Sequence, residues 1–168
     1  MLFRVSQKLA KRLKLGSLDE RPLASNEYVD WTARFFIRDR RPFVLLCNTK
    51  SLYSMVVSIK GITTVETFRE AMVEEIRRAF EADGFAEEFE IHIQPETGSA
   101  EFAKALNRSV TSSMNQLMYL VEYTDGDDVD WFSLRAAFND YLLSSLAQPG
   151  EHYGTPEIAF RRLQNPSA

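Results

Sequence analysis

The densest run of hydrogen-bonding side chains in the chain is Lys104–Val121, KALNRSVTSSMNQLMYLV, which gathers Asn107, Arg108, Ser109, Ser112, Ser113 and Asn115 at the start of a predicted helix. The first turn of a helix carries unpaired N–H groups and partial positive charge, so it attracts anions. On a helix starting at Arg108, the residues Arg108, Ser112, Asn115, Tyr119 and Glu122 fall on one stripe. An arginine with asparagine and serine donors at that end can hold a phosphate or carboxylate through charge-assisted hydrogen bonds. Lys104, just upstream, adds a second cation, and Asn48 and Lys50 join the set if the turn they occupy packs nearby. The same residues also have a structural reading: Asn107 as helix cap, Arg108 paired with a surface acid, and serines packing the helix start.

No catalytic set stands beside this segment. His92 lies in an apolar alternation and His152 in a loop, and neither adjoins a serine elbow. Cys47 sits within FVLLCN, where a buried inert thiol is expected. Two histidines and one cysteine do not make a zinc cluster. Asp125, Asp127, Asp128 and Asp130 cluster, but the EF-hand order and its closing Glu are missing; an acidic loop with Asp130 as helix cap is preferred. No phosphate-binding loop, dinucleotide fingerprint or kinase signature is present. No cofactor and no metal are therefore assigned.

Charge limits the partners. Net charge is −4, yet residues 1–41 hold ten Lys and Arg against five Asp and Glu, while the remainder is strongly acidic. An acidic body disfavours broad nucleic-acid binding, which depends on neutralising phosphates. A local basic patch at Arg34, Arg38, Arg40 and Arg41 keeps that reading open. The opening MLFRVSQKLAKRLKLG is basic but lacks the continuous apolar stretch of a secretory signal; a folded strand and helix is preferred. No run approaches the roughly 20 apolar residues that span a bilayer. A single cysteine rules out an intramolecular disulfide, so no oxidising compartment is implied.

The elements that must position these residues read as α+β. Leu2 to Val5 is a strand, followed by a helix capped by Ser6 and closed by Gly16. Residues 17–30 are a loop. Period-two alternation then gives a three-stranded antiparallel meander over residues 31–59, with Trp31, Ala33 and Phe35 on one face and Thr32, Arg34 and Phe36 on the other. Thr63 and Glu66 predict a capping box, opening a helix that stops at Gly84. Residues 86–97 fit a strand or a helix equally. A strand near 99–106 feeds the polar segment, whose helix carries the apolar stripe Val110, Met114, Leu117, Met118 and Val121. A further helix runs from about Asp130 to Leu146, and a last one starts at Thr155 with Pro156 at its first position. The prediction is an antiparallel sheet covered by about four to five helices, in a single domain over residues 1–168.

Several segments also resemble a bacterial family catalogued as a domain of unknown function. They are Met1-Leu2 with Lys8-Leu9, Trp31-Thr32-Ala33, and Asn48-Thr49-Lys50-Ser51-Leu52-Tyr53. The most specific is Asn107 to Gln116, similar to Asn-Arg-Ser-Val-x-Gly-Ser-Met-Asn-Asp. Ser112 stands where that pattern has Gly, narrowing any close approach, and Gln116 stands where it has Asp, removing a metal ligand or base. The resemblance spans residues 1 to about 147 and implies a bacterial cytosolic protein, but no reaction.

The favoured expectation is a non-catalytic binding or interaction module for a protein or small anionic ligand, with Lys104, Asn107, Arg108, Ser109, Ser112, Asn115, Asn48 and Lys50 as its recognition set. The alternative is an enzyme or nucleic-acid-processing accessory gripping phosphate with Lys104, Arg108 and Ser109.

Overall fold

The structure, a computed structural model, describes residues 1–105, 108–124 and 129–163. Five strands form one sheet in the order β4-β3-β2-β1-β5. They are β1 (Leu2–Val5), β2 (Asp30–Arg38), β3 (Arg41–Asn48), β4 (Ser54–Ser58) and β5 (Glu101–Lys104). The meander β2-β3-β4 is antiparallel as predicted, with Trp31 opposite Asn48 and Leu46 opposite Met55.

The sheet as a whole is mixed, which corrects the purely antiparallel expectation. β1 runs parallel to β2, Phe3 opposite Trp31, and parallel to β5, Phe3 opposite Phe102. Parallel neighbours need a connection long enough to bring the chain back to the same end of the sheet. Residues 6–29 supply it between β1 and β2.

Among the described residues there are six α-helices: α1 (Gln7–Arg12), α2 (Val65–Asp83), α3 (Ala86–Glu88), α4 (Arg108–Tyr123), α5 (Trp131–Asn139) and α6 (Pro156–Leu163). Strand alternation sorts the core into two layers. Phe3, Trp31, Val44 and Leu46 pack with Leu9 of α1, Phe68 and Phe80 of α2 and Phe160 of α6. On the opposite face, Phe43, Leu45, Cys47 and Val56 pack with Met114, Leu117 and Val121 of α4 and Phe138 of α5. No helix among the described residues is long and apolar enough to cross a membrane.

Local chemistry explains where helices begin and end. Ser6 accepts from the Leu9 N–H and caps α1. That helix stops sooner than predicted: Leu13 is buried in the core, and Lys14, not Gly16, takes the left-handed conformation at φ 56°. The cap of α2 is Thr64, one residue beyond the expected Thr63, because its hydroxyl oxygen accepts from the Thr67 N–H. Gly84, at φ 80°, closes α2 as expected. Residues 86–96 resolve as helical: α3, then a π-helical turn over Phe89–Ile93 and a 3-10 turn over Gln94–Glu96. Asp130 caps α5 by accepting from the Ser133 N–H, and the Ser133 hydroxyl holds its carboxyl below the usual range.

α5 ends at Asn139 rather than near Leu146. The Asn139 carboxamide pairs with the backbone of Ser54, accepting from its N–H at 2.7 Å and donating to its carbonyl at 3.1 Å. That side chain thus does for β4 what another strand would do. Leu143 then bridges Gly154, so the chain extends where a longer helix was expected.

Candidate functional site

α4 is anchored along β2 by two arginines. Arg34 donates to the Asn115 carboxamide oxygen, and Arg38 donates to the carbonyls of Val121 and Thr124 at the C-terminal end of the helix. Both arginines alternate onto the α4 side of the sheet, together with Phe36. Cationic donors at a helix C-terminus satisfy carbonyls that have no partner within the helix. The Arg38 guanidinium also lies 5.3 Å from the Trp131 ring centroid. The helix therefore runs in the direction of β2, and at ~1.5 Å per residue its start lies about 10 Å behind Asn115.

One side of α4 is spent on the core; the other faces solvent. Met114, Leu117 and Val121 are buried, and Ser113 is buried with its hydroxyl 2.7 Å from that of Ser145. Ser109, Ser112, Asn115, Tyr119 and Glu122 are exposed. The predicted stripe is thus open from Ser112 to Glu122. Asn107 lies outside the described residues, as does the side chain of Arg108, whose backbone opens the helix.

The remaining predicted residues do not join this surface. Lys104 ends β5 on the same sheet face as Phe102, toward α1 and α2, whereas α4 covers the other face. There it lines a cavity of about 530 Å³ with Ser6, Lys11 and Leu15. Asn48 is fully buried and organises its own turn. Its carboxamide oxygen accepts from the N–H groups of Lys50 and Ser51, and its nitrogen donates to the Glu27 carbonyl at 2.8 Å. Lys50 forms an exposed ion pair with Glu27 at 3.2 Å. The structure leaves Ser109, Ser112 and Asn115 exposed on α4, brings Asn115 to Arg34, and places Lys104, Asn48 and Lys50 elsewhere.

Sequence reasoning missed the buried polar centre of the sheet. Arg4 and Asp30 form a two-point pair, Nε to Oδ1 and Nη2 to Oδ2 both at 2.8 Å, with both side chains essentially inaccessible. Arg4 also donates to the carbonyls of Arg21 and Pro22, and Asp30 accepts from the Ala24 N–H. These bonds strap residues 21–24 over β1. The signal for it was an arginine inside the apolar strand LFRV. A second such centre joins Tyr53, Asp83 and Arg135: the Tyr53 hydroxyl donates to Asp83, which also accepts from Arg135 Nη2 at 2.6 Å. Burial, and then the Asp83 contact, push the Tyr53 phenol up.

Cys47 and His92 are occupied structurally. Burial pushes the Cys47 thiol up to about 12, against the opposing hydrogen bond from the Ser54 hydroxyl. His92 stacks on Tyr28 with ring centroids 4.3 Å apart. Among the described residues no group of three or more His, Cys, Asp or Glu side chains is placed to hold a metal. Asp125, Asp127 and Asp128 lie outside the described residues.

A mixed five-stranded sheet with helices on both faces defines the class as α+β. The chain belongs to the family described as Domain of unknown function (DUF6933), which matches residues 2–158. No curated protein matches the chain, and no solved structure does.

Proposed function

We propose that this protein is a non-catalytic binding module that takes an anionic or polar partner on the exposed face of α4, from the helix start through Asn115. One observation carries the reading: Ser109, Ser112 and Asn115 stay exposed along one side of α4, with Asn115 accepting from Arg34, while the helix already satisfies the core with its other side. The phosphate-gripping alternative is less well supported. Lys104 lies on the other sheet face, and Arg38 directs its donors at the C-terminal carbonyls of α4. The bacterial cytosol is the proposed setting, in keeping with the family resemblance and the buried reduced Cys47.

The test compares Ser112→Glu and Arg34→Ala with the unmodified protein, using inorganic phosphate and a polyglutamate peptide as probes. Ser112→Glu puts a negative charge on an exposed helix position, so stability should change by no more than about 0.5 kcal/mol. Binding of both probes should fall about tenfold or more in each variant. Unchanged binding in both would remove α4 as the recognition face.

A further inference from the structure

β2 has a free edge. Its register with β3 is continuous from Trp31 to Arg38, but its pairing with β1 stops at Ala33, opposite Val5. Among the described residues no strand pairs with Arg34–Arg38 on that side. The chain that leaves β1 does not cover the gap. α1 turns onto the other sheet face, where Arg12 passes 6.0 Å from the Phe35 ring and donates to the carbonyls of Ile59 and Ile62.

The backbone parity of the edge follows from one bond. The Asp30 carbonyl accepts from the Thr49 N–H, so even-numbered residues of β2 direct their backbone groups toward β3. Phe35 and Ile37 therefore direct theirs toward the open side. An unpaired row of N–H and C=O groups is a template for another strand.

A groove follows this edge. It has a volume of about 520 Å³ and is lined by Arg34–Arg38 on one side and by Met118, Val121 and Glu122 of α4 on the other. That is within the range, about 300–1,000 Å³, of sites that hold ligands. Ile37 in its lining is 65% exposed, and Tyr119 and Tyr123, which follow the lining residues Met118 and Glu122 on α4, are 54% and 79% exposed. A sheet edge beside a helix is the arrangement in which an extended peptide adds a strand, with backbone bonds giving affinity and alternate side chains giving selectivity.

We infer that an extended segment of a partner protein adds to β2 along Arg34–Arg38, in the groove beside α4. This rests on the binding-module reading above and names the partner's class. Charge selects the segment. On the α4 side it meets Arg34, so an acidic residue belongs opposite Arg34. On the other side it meets Ile37, which favours a β-branched neighbour. Toward the hairpin tip both signs are present, Asp39 and Glu122 with Arg38, Arg40 and Arg41, so charge selects no residue there. A second copy of this chain fits poorly, because antiparallel pairing about Phe36 sets Arg34 of each copy against Arg38 of the other.

The test uses a synthetic peptide, Thr-Val-Glu-Val-Thr-Val, with amide exchange followed by NMR and affinity by fluorescence anisotropy. Binding should slow exchange at the Phe35 and Ile37 amides. Ile37→Pro removes one of those donors at an edge position that tolerates proline, and should weaken binding about tenfold with the fold retained by circular dichroism. Arg34→Glu should weaken the Glu peptide and strengthen its Lys counterpart, a reversal that misfolding would not produce. No saturable binding overturns the inference, as does an Arg34→Glu variant that shows no reversal. Slowed exchange confined to residues 109–115 overturns it while leaving the module reading in place. Concentration-dependent slowing at Phe35 and Ile37 without peptide would assign the edge to a second copy and overturn it too.

Discussion

Removing the Asp30 carboxylate should be among the most damaging single changes in this protein. Asp30 accepts from Arg4 Nε and Nη2 at 2.8 Å and from the Ala24 N–H at 2.9 Å. In Asp30→Ala the Arg4 guanidinium stays fully buried, bonded to the Arg21 and Pro22 carbonyls but with no negative charge beside it. Breaking one side of a buried pair costs about 3–5 kcal/mol, because an uncompensated charge is left in a poorly solvated site. In a chain of this length that corresponds to a fall in Tm of roughly 10 °C. Arg4→Met should cost a similar amount by stranding the carboxylate. The double variant Arg4→Met, Asp30→Ala should be less harmful than the sum of the two, since neither charge is then left stranded. Urea unfolding of all four proteins at pH 7 measures this. A cost below about 1 kcal/mol for Asp30→Ala, or strict additivity in the double variant, would refute the idea that this pair ties residues 21–24 to the sheet.

Asn48→Ala should destabilise by about 2–4 kcal/mol in the same assay, because one carboxamide satisfies the N–H groups of Lys50 and Ser51 and the Glu27 carbonyl in a buried turn. Cys47 should be inert to a disulfide reagent until the protein unfolds. Its folded thiol is held up to about 12, whereas an unfolded thiol ionises near pH ~8.5, so the folded state keeps a proton that the unfolded chain loses. Stability should therefore decline as pH rises above ~8.5, by about 2 kcal/mol at pH ~10, and a Cys47→Ala variant should show a flatter dependence on urea unfolding. Gly154→Ala would place a Cβ 2.3 Å from the Leu146 carbonyl oxygen, a backbone collision, and should cost about 1–3 kcal/mol by thermal melting.

What could be read from the sequence was what local periodicity governs. The α4 stripe, the β2 alternation, the Gly84 stop and the Asp130 cap all follow from spacing and cap chemistry within a few residues. The parallel placement of β1 was not legible, because four residues of alternating pattern say nothing about strand direction. Phe89, Ile91 and Ile93 looked like strand alternation, yet Phe89 and Ile93 are buried four residues apart while Ile91 is 57% exposed, which is helical spacing. α5 was drawn too long because its end depends on Asn139 reaching Ser54, a contact between residues far apart in sequence.

The candidate site shows the same division. Exposure of Ser112 and Asn115 could be read from the helical stripe. The separation of Lys104 and Asn48 from it could not, since that depends on which sheet face each side chain takes. The open edge of β2 was likewise hidden, because it exists only through the length difference between β1 and β2 and the turn of α1 away from the gap.

The most direct measurement is a residue-resolved NMR titration of the isotope-labelled protein with inorganic phosphate and with the Thr-Val-Glu-Val-Thr-Val peptide. Perturbed amides should cluster on Ser109–Asn115 and on Arg34–Arg38, two segments joined where Arg34 meets Asn115. Perturbations confined to the Lys104 and Lys11 cavity, or spread without any centre, would contradict this expectation.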